Sequence, residues 1–191
     1  MSHSDIKSYK GKYTYARVCL EHWPQKEDPY RIWITASGNL IKYNGKLLVQ
    51  TADITSSKLQ WNSVISTKDA RYMCIDLKNF YLTANLDYLE YMKMPLNLFP
   101  QWIIDQYNLH KHAVDGMIHI EMQKAVWGLP QVGILAKKKL RQELEPHRYH
   151  EHKNTPGLWY HKTRPISFTL VVDDFGVKYS GKDTLITSLR A

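Results

Sequence analysis

Residues 166–179 constrain this chain most. Ile166-Ser167-Phe168-Thr169-Leu170-Val171-Val172 runs straight into Asp173-Asp174, and Phe175-Gly176-Val177-Lys178-Tyr179 follows at once. β-Branched and aromatic residues favour extended backbone. Strand, acidic pair, strand reads as a tight β-hairpin with two carboxylates at its tip. Asp is an ordinary turn residue, which is the plain reading of the pair. Against it, two adjacent like charges beside an apolar run are costly, and no Gly or Asn softens the approach. That cost marks the pair as a candidate site.

A further acid sits in a comparable place. Tyr72-Met73-Cys74-Ile75 is a nearly continuous apolar run, the pattern of a strand buried on both faces, and it ends at Asp76. Carboxylates at strand ends of one sheet can converge on a divalent cation. Mg²⁺ takes oxygen ligands, usually one or two carboxylates with water and substrate phosphates. Two such ions about 4 Å apart would serve phosphoryl transfer.

The rest of the chain supplies the frame. Residues 13–20 and 31–35 have strand character around a loop at 23–29. Asp53 is placed to cap a helix with Ile54, Trp61, Val64 and Ile65 on one face. A short helix is expected at 101–108 and a strand at 117–122. Pro130 can open a helix whose apolar stripe is Val132, Leu135, Ala136, Leu140 and Leu144. Lys137, Lys138, Lys139 and Arg141 lie around its other side. Residues 145–156 read as a polar loop, 157–160 as a strand, and a helix is expected to begin near Lys182. This order predicts an α+β chain with a mostly antiparallel sheet.

Composition narrows the function. The 191 residues are 43% hydrophobic and 23% charged, a globular mixture. No apolar run approaches the roughly 20 residues of a membrane helix, and the first residues lack a secretory layout. Two cysteines make no disulfide framework and fit a reducing, intracellular compartment. A net charge of +8 with 13 Tyr and 6 Trp suits a nucleic-acid backbone, although basic surfaces and core aromatics are also common without one. His147, His150, His152 and His161 fit no zinc spacing and read as solvated loop residues.

Three segments in order resemble the reverse transcriptases of long-terminal-repeat retrotransposons and retroviruses. Cys74-Ile75-Asp76-Leu77-Lys78-Asn79-Phe80-Tyr81 looks like the family's first catalytic-aspartate strand. Gly128-Leu129-Pro130-Gln131-Val132-Gly133 resembles its Leu-Pro-Gln-Gly segment, and Val171-Val172-Asp173-Asp174 its aromatic-X-Asp-Asp hairpin. The resemblance spans about residues 10–190. It implies an α+β polymerase palm, an antiparallel sheet with packed helices and an RRM-like βαββαβ core, plus a fingers subdomain. It divides the chain into fingers at 1–50, palm at 51–81, fingers again at 82–130 and palm again at 131–191, a polyprotein fragment without thumb or RNase H.

The resemblance also implies an activity: RNA-directed and DNA-directed DNA synthesis, with two-metal nucleotidyl transfer from a deoxynucleotide to a primer 3′-hydroxyl. Asp76, Asp173 and Asp174 would be the catalytic carboxylates. Asp76, the Leu77 carbonyl, Asp173 and Asp174 would hold two Mg²⁺ ions, with Mn²⁺ as a substitute. Arg17 would grip the triphosphate, with Lys10, Lys12 and Arg31 as secondary candidates. Tyr81 would gate against a 2′-hydroxyl, its plain alternative being a packing residue. Gln131 would back the nucleotide, and Lys137, Lys138, Lys139 and Arg141 would hold nucleic acid. The implied partners are an RNA or DNA template–primer, deoxynucleotides, and a second copy or other polyprotein segments. The implied setting is cytoplasmic virus-like particles or the nucleus. The sequence departs from the family at Val171, at Val132 and at Glu21-His22-Trp23. The rival from another class is a catalytically silent, degenerate or domesticated palm-fold domain that binds nucleic acid; a nuclease or cyclase-like two-metal enzyme is a third.

Overall fold

The computed structural model describes residues 13–181. Lys10, Lys12 and the helix expected from Lys182 lie outside them. The described strands are β1 Thr14–His22, β2 Tyr30–Ala36, β3 Ala70–Asp76, β4 Asn85–Pro95, β5 Met117–Lys124, β6 Tyr149–Glu151, β7 Leu158–His161, β8 Ile166–Val171 and β9 Asp174–Ser180. The described α-helices are α1 Ile54–Ile65, α2 Gln101–Gln106 and α3 Val132–Leu144. The chain is α+β and separates into two compact units, each assembled from two stretches: 1–47 with 81–135, and 48–80 with 136–191.

The first unit is built on a four-stranded mixed sheet of order β2-β1-β4-β5. β1 and β2 form an antiparallel ribbon, β1 meets β4 in parallel at Thr14 and Tyr15, and β4 and β5 are antiparallel. Ala36, Ile41, Met92, Met94, Met122 and Leu129 lie in its core. α2 buries Ile104. β4, the longest described strand, escapes the sequence reading because its register shifts between Asn85 and Glu90. The alternation of apolar residues changes phase there, and a period-2 pattern is lost.

The second unit is built on a five-stranded antiparallel sheet of order β3-β9-β8-β7-β6. Trp159 is fully buried and stacks on Phe168 at 5.8 Å, and Phe168 meets Phe175 at 5.3 Å. Such ring pairs add to the burial they already provide. The division between units falls inside α3, after Leu135. Val132, Leu135, Ala136 and Leu140 of its stripe are buried as expected and Leu144 is half-buried, but the helix begins two residues after Pro130.

β3 is not buried on both faces: it is a sheet edge, and Cys74 and Asp76 are exposed. A short apolar run on a half-covered edge cannot be told from a buried one by its pattern. α1 is capped by Asp53, whose carboxylate accepts from the Ser56 amide at 2.6 Å, yet three of the four residues of its apolar stripe face out and only Val64 is half-buried. Ile54 is 71% exposed, Trp61 60% and Ile65 84%, while Gln60 is buried. Trp61 meets the sheet through an edge contact with the Tyr72 ring at 5.6 Å, and the other sheet groups that hold α1 are polar. Gln60 donates to the Ser167 carbonyl, and the Lys178 ammonium donates to Ser63 and Thr67. Satisfying those groups outweighs burying the stripe. Residues 149–151 are a strand rather than loop. His161 is a buried β7 residue rather than a solvated one, and its Nδ1 accepts from the Thr163 and Arg164 amides.

Candidate active site

The second unit brings Asp76, Asp173 and Asp174 to one end of one sheet. β3 and β9 run antiparallel in a register that sets Asp76 opposite Asp174. β8 and β9 close their hairpin with Val171 opposite Asp174, which leaves Val172-Asp173 as a two-residue loop. Asp173 is therefore a half-buried tip residue, whereas Asp76 and Asp174 are exposed strand residues. The Leu77 carbonyl follows Asp76 directly and accepts from the Phe80 amide at 3.1 Å. Register makes these acids neighbours without preassembling them: among the described residues, no three His, Cys, Asp or Glu side chains already converge as a metal cage.

The tip is strained. Val172 has φ +61°, and Asp173 is not among the residues with positive φ. That is the pattern of a type II′ turn, whose first loop position favours glycine. A β-branched residue there costs roughly 1–3 kcal/mol. Val172→Gly removes the clash and adds some backbone entropy to the unfolded chain. It should leave a net gain of about 1 kcal/mol, or about 2–4 °C in thermal unfolding for a chain of this size. An unchanged or lower midpoint would mean that the valine is held without strain.

The first unit carries Arg17, Tyr81 and Gln131. Arg17 is exposed on β1, opposite Thr35. Arg31 lies over the Trp23 ring at 5.9 Å and Lys26 at 4.5 Å, and the Trp23 and Trp33 indoles both donate to Glu21. Tyr81 is half-buried and packs against the first core. Gln131, just before α3, is only 2% exposed, and its Nε2 donates to Glu90 Oε1 at 3.2 Å. A nucleotide contact by Gln131 would require that pairing to open. Sequence reasoning missed Glu90. Its parity was the available signal, since Glu90, Met92 and Met94 alternate onto one face of β4 and all are buried.

The basic stripe of α3 is partly spent inside the second unit. Lys137 donates to Glu151 at 2.7 Å and to the Gln50 carbonyl, and Arg141 donates to the same carboxylate at 2.6 Å. The Gly157 amide is a further donor to Glu151. Lys138 is exposed and Lys139 half-exposed. Burial pushes the Glu151 carboxyl up, but Lys137, Gly157 and Arg141 outweigh it and hold it below the usual range. Burial, with Arg164 and Arg148 nearby, holds the His161 imidazole below its usual range.

Both depressed groups give the same sign. Their contributions are present above the unfolded values and vanish as pH falls through the folded ones. Stability should therefore decline on acidification, first below about 6.5 through His161 and then below the ordinary carboxylate range through Glu151. Chemical denaturation across pH checks this: Glu151→Gln should flatten the lower window and leave the upper one. A profile identical to the native one would remove Glu151 from the account.

Comparison of the chain with protein-family models and with curated proteins finds no match.

Proposed function

We propose that the chain is the fingers-and-palm part of a reverse transcriptase, an RNA- and DNA-directed DNA polymerase of a retroelement. One observation carries the reading. Two strands far apart in sequence are paired so that Asp76 meets Asp174 while Asp173 sits at the adjoining hairpin tip. These are the acids that the resemblance assigns to catalysis, and a sheet has no packing reason to gather like charges at one end.

Mg²⁺ suits this donor set, because it takes hard oxygens and needs few protein carboxylates when phosphates complete its shell. Asp76, Asp173, Asp174 and the Leu77 carbonyl would hold it, and there it would supply charge neutralisation to the phosphates and acidify the primer hydroxyl. The chain's own residues bind and orient. In this reading Arg17 offers an exposed guanidinium fork to triphosphate oxygens, and Tyr81, fixed by packing at one side, excludes a 2′-hydroxyl. The primer 3′-oxygen bonds to the α-phosphorus, pyrophosphate leaves with the bridging oxygen, and the hydroxyl proton passes to solvent. No protein nucleophile is used. Base pairing supplies sequence, so protein contacts fall on backbone and helical shape.

Two observations favour a second reading, a catalytically silent domain that binds nucleic acid. Gln131 is buried against Glu90, and Lys137 and Arg141 are engaged by Glu151. Primer extension on a poly-rA template with a recessed oligo-dT primer separates the two when the same duplex is also tested for binding. Mg²⁺-dependent extension is the expected result; binding without extension establishes the silent reading. Where extension occurs, Tyr81→Ala should raise ribonucleotide incorporation by about tenfold or more, the scale of one lost steric contact. Equal discrimination by both proteins would return Tyr81 to a packing role. No α-helix among the described residues is long and apolar enough to cross a membrane.

A further inference from the structure

We propose that Glu90 is a protonated carboxylic acid in the folded chain, forming a reciprocal pair with the Gln131 amide that fixes the Gln131 side chain at the start of α3. The two residues are 5% and 2% exposed. Gln131 Nε2 donates to Glu90 Oε1 at 3.2 Å, and Gln131 Oε1 is buried without any hydrogen-bond partner. An ionised carboxylate is acceptor-only, whereas a protonated one also offers an O–H donor. A proton on Glu90 therefore supplies what the orphaned amide oxygen lacks, and acid and amide satisfy each other through two antiparallel hydrogen bonds.

The surroundings favour the neutral form. Glu90 shares its strand face with Met92 and Met94, opposite Met122 on β5. A buried carboxylate normally needs a cation or several donors. Here the side-chain donor is a neutral amide, at a length beyond the roughly 2.7–2.9 Å typical of charge-assisted bonds. The charged residues and histidine along β4 and β5, namely Asp87, Lys93, His119, Glu121 and Lys124, and Arg17 on β1, occupy exposed or half-exposed positions. Of the β4 tyrosines, Tyr88 is exposed, and Tyr91, next to Glu90, is buried but carries no charge in its ordinary form. Burial is the largest influence on the Glu90 carboxyl and raises it, and the Gln131 amide opposes that rise.

The proton and the pair stand on the geometry of the first unit alone. Their consequence for a nucleotide, with Glu90 as the positioning residue of Gln131, rests on the polymerase reading.

Infrared difference spectra of the full chain against Glu90→Gln test the proton directly. The native protein at neutral pH should show one protonated-carboxyl carbonyl band that the variant lacks, and Gln131→Leu should shift that band by removing its partner. An ionised carboxylate band lost in Glu90→Gln would overturn the proposal. Stability is the second readout. A raised acid contributes below its unfolded value and loses that contribution as pH rises through the folded one. Glu90→Gln should therefore gain on the native chain as pH rises above the ordinary carboxyl range, by up to about tenfold per pH unit in the unfolding constant. A variant less stable than the native chain at neutral pH would show that the charge itself is needed. The swap Glu90→Gln with Gln131→Glu should recover stability lost by Gln131→Glu alone. None of these measurements uses catalysis, so a protonated Glu90 in a chain that fails to extend primers would sink the polymerase reading and leave this one standing.

Discussion

Asp76→Asn should abolish Mg²⁺-dependent primer extension and at the same time make the protein more stable. The two effects have separate origins. Asp76 and Asp174 face each other across β3 and β9, where side chains directly opposite lie about 5 Å apart and like charges destabilise by roughly 0.2–1 kcal/mol. Neutralising one acid removes that repulsion. In the proposed reaction the same acid helps to hold Mg²⁺, which is worth several kcal/mol of transition-state stabilisation. Its loss should slow extension by about a thousandfold or more, equivalent to about 4 kcal/mol. Asp173→Asn should inactivate as strongly but without the gain in stability, because Asp173 is in the loop and has no acid opposite it in the ladder. Thermal unfolding and single-turnover extension of the two variants check both halves. A stability loss in Asp76→Asn would mean the carboxylate is a structural partner, and undiminished extension in either variant would end the two-metal assignment.

Strands are legible in this sequence where alternation is unbroken. Residues 166–179 read as a hairpin because β-branched and aromatic residues flank the acids, and β8 and β9 close there with Val171 opposite Asp174. The strand at 117–122, which runs on to Lys124 in β5, and the buried stripe of α3 are equally plain. β4 is hidden because its register shift puts apolar residues out of phase. A local pattern also cannot say which face a helix turns inward. The stripe of α1 predicts an apolar contact, but the choice is made by Ser167 and Lys178, which are more than a hundred residues away. Burial of Gln60 with Ile54 and Ile65 left outside is a tertiary outcome.

The candidate site is legible in part for a related reason. Adjacent acids after an apolar run are visible in sequence, and so is an acid ending a second run. Which acid faces which requires register, and it is Asp174 that stands opposite Asp76. Lys137 and Arg141 look like a free basic surface because Glu151 is 14 and 10 residues further along the chain. A charge run on a helix says nothing of the carboxylate that neutralises it.

Gly128→Ala should destabilise the first unit more than any of the other substitutions considered above. Gly128 has φ +95°, and a Cβ built there would stand 2.0 Å from the Ala36 carbonyl oxygen. The neighbours at 3.0 and 3.1 Å are also Ala36 backbone atoms. Backbone cannot swing aside as a side-chain tip can. The contact is close because the two segments are tied together: the Ala36 amide donates to the Trp127 carbonyl at 2.7 Å. The approach is close from the other side too, since a Cβ on Gly38 would stand 1.8 Å from the Gly128 carbonyl oxygen. Relief would have to break the Ala36–Trp127 bond or move the turn that delivers Leu129, Gln131 and Val132, all buried, to the start of α3. Overpacking costs about 1–3 kcal/mol and a strained positive φ adds about 1–3 kcal/mol, so a total of roughly 2–6 kcal/mol is expected. Gly116→Ala is the control. It has φ +71° and nothing within 4 Å of a built Cβ, so it should show the backbone part alone, about 1–3 kcal/mol. Equilibrium denaturation of the two variants separates the steric cost from the conformational one. Equal losses would mean that Ala36 and Gly128 can move apart freely, and the glycine of the Gly-Leu-Pro-Gln segment would then be needed only for its φ.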